Sequence, residues 1–187
     1  MLGASWVMWL LIMLSVISLA IVLERTYYLL ASRDDIQALK NDLLKFLRKG
    51  DIAGAKARLA ESRSFEAKIV QAGMDAVEDG AESADNRMQS AAQLARLHME
   101  RNLAFLGTVG NNAPFAGLLG TVIGVIRSFQ ALNDSGGQVT SGLMAEIGEA
   151  LVATAIGILV ALPAVAFFNL FQRLIRARLA RADALGK

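Results

Sequence analysis

EIGEALVATAIGILVALPAVAFFNLFQ, residues 146–172, is the strongest structural signal in this sequence. From Ala150 to Gln172 the run carries no formal charge, and as a helix it is roughly 30 Å long, which matches the hydrocarbon core of a bilayer. Small residues recur along it at alternating steps of three and four, so that they share one helix face with Glu146: Ala150, Ala153, Gly157, Ala161 and Ala164. Small side chains gain nothing against lipid but let two helices approach closely. This face therefore predicts tight packing against a partner span, with Thr154 at its edge.

The composition agrees with a membrane protein built mostly of helices. The chain has 187 residues, of which 55% are hydrophobic, and it contains two prolines and no cysteine. The lack of cysteine excludes disulfides, thiolate nucleophiles and cysteine-based metal sites. All but Arg127 of the 19 Lys and Arg residues lie between Arg25 and Arg101 or after Phe171. Because positive charge stays on the cytoplasmic side of a membrane, this asymmetry predicts the topology.

A first span is predicted at the start of the chain. Residues 1–23 carry no charge and are flanked by aromatic residues typical of membrane interfaces: Trp6, Trp9, Tyr27 and Tyr28. A secretory signal peptide is the alternative, but no basic residue precedes the apolar run and no small-residue cleavage site follows it before Glu24. The prediction is a transmembrane helix over residues 1–29, with the N-terminus outside.

A second uncharged run, NLAFLGTVGNNAPFAGLLGTVIGVI, covers residues 102–126. It too has one face of small or weakly polar residues: Ala113, Gly117, Gly120, Thr121, Gly124 and Ser128. Pro114 is expected to kink or loosen this helix, with the side-chain amides of Asn111 and Asn112 close enough to satisfy the freed backbone.

The segment between these two spans reads as a set of soluble helices. One apolar face is predicted from Ile36 to Leu47, with Gly50 as a stop and Asp51 as the N-cap of the next helix. Ser83 or Asp85 is expected to cap a helix that runs unbroken into the second span. Acidic and basic residues are interspersed, which favours a solvated surface over a nucleic-acid site, and the lone His98 does not predict a metal site.

The predicted fold is therefore an all-α membrane protein with three transmembrane helices, the second and third extended into the cytoplasm. The intervals, in chain order, are a first transmembrane helix, a cytoplasmic helical region, a second transmembrane helix, a periplasmic loop, a third transmembrane helix and a cytoplasmic tail: 1–29, 30–102, 103–129, 130–147, 148–172 and 173–187. No titratable residue lies in the middle of any span. A proton relay needs such groups at depth, so this chain is not expected to carry protons alone.

Three segments resemble the ExbB, TolQ and MotA proton-channel family, and especially its three-span ExbB and TolQ branch. They are APFAGLLGTVIGVIRSF, IGEALVATAIGILVALPAVAFFNLF and the LAIVLER that ends the first span. The resemblance implies a pore-forming scaffold subunit of a bacterial inner-membrane motor driven by proton-motive force. It also implies a homopentamer around a pore that holds the spans of an ExbD- or TolR-type dimer, which supplies the proton-binding aspartate, and a TonB- or TolA-like protein on which work is done.

The same resemblance assigns roles to individual residues. Thr121 and Thr154 match threonines that line the pore, and Glu149 matches the acidic residue that opens the third span. Pro114 and Pro163 match family prolines, whereas Arg127 departs from the pattern. Glu149 is expected either to lie at the pore mouth or to form an ion pair with Arg127. Glu146 is the other candidate partner for Arg127. From spacing alone, the threonines fit a packing role as well as a functional one.

Several functions remain open at this point. Among motors of the family, energising outer-membrane import through a TonB-like protein is favoured over TolQ-like envelope maintenance or gliding. A passive oligomeric membrane scaffold also accounts for the small-residue faces. A self-sufficient transporter would need broken helices and midplane polar sites, and an enzyme would need a catalytic constellation, neither of which the sequence offers. No cofactor is expected.

Overall fold

Regular secondary structure in the computed structural model, which describes residues 5–186, is helical throughout those residues. Seven α-helices follow one another, with a short 3₁₀ turn at Val77–Asp79 after the fourth. Their bounds are α1 Ser5–Ala31, α2 Ile36–Arg48, α3 Ile52–Glu61, α4 Phe65–Met74, α5 Ala81–Glu100, α6 Leu103–Asp134 and α7 Ser141–Gly186. Three of them, α1, α6 and α7, are long and apolar enough to cross a membrane. The all-α membrane fold is thereby confirmed, although residues 1–4 of the predicted first span lie outside the described part.

The chain divides into two compact units. The membrane unit comprises the described part of residues 1–23 together with residues 102–170, and the helical unit comprises residues 24–101 together with the described part of 171–187. In the membrane unit, buried side chains from α1, α6 and α7 meet in one apolar core: Val7, Leu11, Val109, Ala113, Val160, Ala161 and Ala164. The N-terminal half of α1 therefore packs against both other long helices of its unit.

The helical unit has a separate core, contributed mainly by α2, α3 and α4. Its buried members are Leu39, Leu43, Ala55, Leu59, Ala67 and Val70. Gly50 adopts a left-handed conformation at φ +72°, and the Asp51 carboxylate accepts the backbone N–H of Gly54 at 2.8 Å. The predicted stop and N-cap between α2 and α3 are thus confirmed.

Two predictions about α5 are wrong. The helix begins at Ala81 after Gly80, whose φ of +103° favours glycine, so Ser83 and Asp85 lie inside the helix and cap nothing. Nor does α5 run into α6: the helices are separated at Arg101 and Asn102, and Asn102 has a left-handed backbone at φ +63°. Asparagine adopts this conformation more readily than most residues, but it does so without the glycine or proline that usually marks a break in the sequence.

The long helices extend beyond the predicted spans. The helix α6 continues to Asp134 and α7 begins at Ser141, so only residues 135–140 join them, with Gly136 and Gly137 at positive φ. Pro114 and Pro163 both lie inside helices that continue on either side of them. Asn112 donates its side-chain amide to the carbonyl of Thr108 at 2.8 Å. This is a different carbonyl from that of Gly110, which loses its i+4 donor at Pro114.

Candidate functional site: the contact between α6 and α7

Glycines bring the backbones of α6 and α7 into direct contact. A Cβ atom placed on Gly157 would lie 2.6 Å from the carbonyl oxygen of Ala113 and 3.0 Å from the Cα of Gly117. One placed on Gly117 would lie 2.8 Å from the carbonyl oxygen of Ala153. Because real Cβ atoms do not approach backbone this closely, no side chain fits at either position without separating the helices.

The same contact continues toward the C-terminal end of α6 and the N-terminal end of α7. Gly120 faces Ala153, with 2.7 Å between the methyl carbon and the position of an added Cβ, and Gly124 faces Ala150 still more closely. Gly120 also lies near Val7, so α1 covers this part of the contact. The small faces of the second and third spans therefore meet each other within one chain.

Two threonine hydroxyls lie at the centre of this contact. Thr121 and Thr154 are both half-buried, and their hydroxyl groups are hydrogen-bonded to each other across the helix pair. Thr154 also donates to the carbonyl of Gly117 at 3.1 Å, and the Thr121 hydroxyl lies 3.2 Å from the carbonyl oxygen of Ala150. Each hydroxyl has one proton and can accept as well as donate. The pair thus links α6 to α7. The two hydroxyl protons have more than two oxygen acceptors within reach, namely the other hydroxyl and the backbone carbonyls.

Near the N-terminal end of α7 the two glutamates have different surroundings. Glu149 is exposed, and its Oε1 accepts a hydrogen bond from the hydroxyl of Ser5 at 3.0 Å. Glu146 is half-buried, and its Oε2 has no hydrogen-bond partner among the described residues. Arg127 is half-buried near the end of α6. The contact with Ser5 was not predicted, because a single serine near the start of an apolar run carries no pattern.

The spans themselves offer few groups for ion chemistry. Residues 5–23, 103–126 and 150–172 contain no Asp, Glu, His, Lys or Arg. Among the described residues there is also no cluster of three or more side chains suited to a metal ion. Around the threonine pair, the chain therefore presents hydroxyls and backbone carbonyls.

The helical unit contains a buried charged cluster that the sequence did not reveal. Arg178 of α7 donates to the Ser32 hydroxyl and to the Leu29 carbonyl, both at 2.7 Å, and its Nε lies 3.9 Å from Oε1 of Glu66. Arg178 and Glu66 are 7% and 2% exposed, so the pair is withdrawn from solvent. Neither residue stands out in the sequence, since arginine and glutamate recur throughout this charged region.

Comparison with known proteins agrees with this architecture. A model of the MotA/TolQ/ExbB proton channel family matches residues 61–184, and the chain belongs to that family. The resemblance inferred from the sequence is thus confirmed. The family and the three apolar helices together indicate an inner-membrane protein.

Three relatives illustrate the range of similarity. The chain is 42% identical over 77 residues to a putative biopolymer transport protein ExbB-like 2 of Helicobacter pylori, covering 41% of this chain and 51% of that protein. It is 30% identical over 176 residues to the biopolymer transport protein ExbB of Salmonella typhimurium, covering 88% and 71%. It is 40% identical over 98 residues to the Tol-Pal system protein TolQ of Pseudomonas aeruginosa, covering 52% and 41%. The match thus spans about half the length of the Helicobacter relative and most of the Salmonella one.

Proposed function

We propose that the chain is the pore-forming scaffold subunit of an inner-membrane motor driven by proton-motive force. In this proposal several copies, most simply five, surround the single spans of an ExbD-type dimer. Protons cross on the carboxylates of that dimer, and the resulting motion acts on a TonB-like protein to drive outer-membrane import. The names and the family of its relatives support this role.

The observation that carries the proposal is the Thr121–Thr154 pair in spans that have no titratable side chain at depth. A carboxylate crossing a low-dielectric region needs hydrogen-bond donors when charged and acceptors when protonated. Half-buried hydroxyls supply both and change direction by rotation alone. Beside them, the glycine and alanine contacts let α6 and α7 approach closely enough for the two hydroxyls to meet.

A role at the pore mouth is proposed for Glu149. The carboxylate is exposed and hydrogen-bonded to Ser5, so it is hydrated rather than sealed in the helix contact. With the N-terminus periplasmic and the C-terminus cytoplasmic, Glu149 lies on the outer side, where an anion raises the local concentration of cations.

The experiment that tests the role of Glu149 is a double-mutant cycle. The defect of Glu149→Gln in proton-driven activity should persist when Arg127 is neutralised as well, whereas its disappearance would make this carboxylate part of a structural ion pair.

The division of labour between subunits is tested by reconstitution. The complex is affinity-purified from native membranes, its single-span partners are identified by mass spectrometry, and proton uptake into vesicles is measured with and without them. The chain alone should not conduct protons, because its spans offer no titratable relay. Proton conduction by the chain alone would refute the proposal, and a complex lacking any single-span partner with an intramembrane aspartate would favour a passive scaffold.

A TolQ-like role in envelope maintenance is the second candidate, because the Pseudomonas TolQ is 40% identical over 98 residues. The two candidates share the same pore and differ in the protein that receives the work. Co-purification of a TolA-like rather than a TonB-like protein would therefore select this alternative.

A further inference from the structure

A second feature of the membrane unit lies between α1 and α7, where a pocket is partly open to the protein surface, since Ser15 and Pro163 are exposed. It is a cavity of about 120 Å³, lined on α1 by residues that include Ser15, Ser18 and Val22 and on α7 by residues that include Pro163, Ala164 and Phe167. A volume of about 15 Å³ accessible to a water-sized probe is enough for one water molecule. The cavity therefore has room for a small cluster of waters.

Ser18 is the polar group that this cavity leaves unsatisfied. The residue is 6% exposed, and its buried hydroxyl has no hydrogen-bond partner among the described residues. A hydroxyl withdrawn from water without a partner is costly, and more so in an apolar membrane interior than near an aqueous surface. The position therefore calls for a small ligand that can donate to or accept from this hydroxyl.

Pro163 lines the opposite wall of the cavity. Proline has no backbone N–H, so the carbonyl of Leu159, one turn earlier in α7, lacks its usual helical donor beside the proline ring. In membrane helices such carbonyls are commonly satisfied by waters or neighbouring hydroxyls. A lipid chain or an apolar side chain in the cavity would leave the Ser18 hydroxyl unsatisfied.

We propose that this cavity is a hydration site, in which water molecules hydrogen-bond to the buried Ser18 hydroxyl. Glu24 follows Val22 after one intervening residue, and Arg173 follows Phe167 within two turns of helix. Residues that line the cavity therefore lie within two turns of a charged residue on both helices.

The chain has no cysteine, so thiol labelling that is followed on this subunit alone has no background. Ser18→Cys and Val16→Cys are compared in the intact complex in membranes, with a small methanethiosulfonate reagent as the probe. Only the thiolate reacts, and it forms only where water is present. Although Val16 is 63% exposed and Ser18 is 6% exposed, the cysteine at 18 should react about tenfold faster. Equal or slower reaction at 18 would overturn the proposal.

Two further variants keep the test decisive. Ala164→Leu, which fills the cavity, should slow labelling of the cysteine at position 18 and leave labelling at position 16 unchanged. An unchanged rate at position 18 would place the water elsewhere and refute the site.

Ser18→Ala should leave the melting temperature of the complex unchanged or lower it, because a hydrated hydroxyl is already satisfied. A raised melting temperature would show that the hydroxyl is dry and unpaired, since removing such a group stabilises a protein.

Discussion

Replacing Thr121 and Thr154 with valine separates a functional role from a packing role. Valine is nearly isosteric with threonine but has no hydroxyl, so Thr121→Val and Thr154→Val keep the volume of the α6–α7 contact and remove its hydrogen bonds. The carbonyls of Gly117 and Ala150 keep their own helical donors. Neither variant therefore leaves a new unsatisfied carbonyl behind.

The structural cost of the two changes is small. Hydrogen bonds between membrane helices contribute about 0.6 kcal/mol on average, with a maximum of about 1.7. With two such contributions lost, we expect the double variant to be destabilised by about 1–2 kcal/mol. Against a total stability of at least about 5 kcal/mol, more than about 99% of the protein stays folded. A large loss of activity therefore cannot come from unfolding.

The assay is proton uptake by vesicles that contain the reconstituted complex, with thermal unfolding measured on the same samples. The double variant should retain its oligomer and partners but lose proton uptake at least about tenfold, which corresponds to roughly 1.4 kcal/mol on the rate-limiting step. Thr108→Val is the matched control, because the Thr108 hydroxyl is exposed and donates at 2.9 Å to Ala104 of its own helix. Full proton uptake by the double variant would mean that the threonines only pack. An equal loss of proton uptake in Thr108→Val would lead to the same conclusion.

Three further predictions concern packing, buried charge and the α5–α6 break. Gly120→Leu should separate the helices, cost about 1–3 kcal/mol and weaken the oligomer in native mass spectrometry, whereas Gly148→Leu, where nothing lies within 4 Å of an added Cβ, should leave it intact. Arg178→Met should lower stability by about 3–5 kcal/mol in thermal or denaturant unfolding because it strands the Glu66 carboxylate, and adding Glu66→Leu should restore much of the loss. Asn102→Ala should cost about 1 kcal/mol, and Asn102→Gly should cost nothing or stabilise, since only the alanine is strained at φ +63°. Equal melting temperatures for the last two variants would contradict that explanation.

The long apolar helices were predictable because each depends on local periodicity and charge alone. The uncharged runs within α1, α6 and α7 and the cap at Asp51 are of this kind. The break at Asn102 was not predictable, because an asparagine with a left-handed backbone looks the same in the sequence as an asparagine inside a helix. The buried Arg178 was also missed, since its burial depends on residues from α1 and α4 that are distant in sequence.

The threonine pair shows where sequence reasoning ends. The spacing placed Thr121 and Thr154 beside two small helix faces, and the family resemblance gave them a role. Neither revealed that the two hydroxyls bond to each other, because this depends on the register between α6 and α7. That register is set by glycine contacts such as Gly157 against Ala113, which only three-dimensional packing defines.

The short connection between α6 and α7 also bears on how the protein is made. With only residues 135–140 between them, the two helices form a hairpin that enters the bilayer most favourably as one piece. The helix α6 is the least apolar of the three spans, and its glycine face is covered by α7 rather than by lipid. During synthesis α6 is therefore expected to remain in contact with the insertion machinery, and to enter the bilayer only after α7 has left the ribosome. Translation-arrested chains that end before Ser141 should leave α6 extractable by alkali, and chains that include α7 should not.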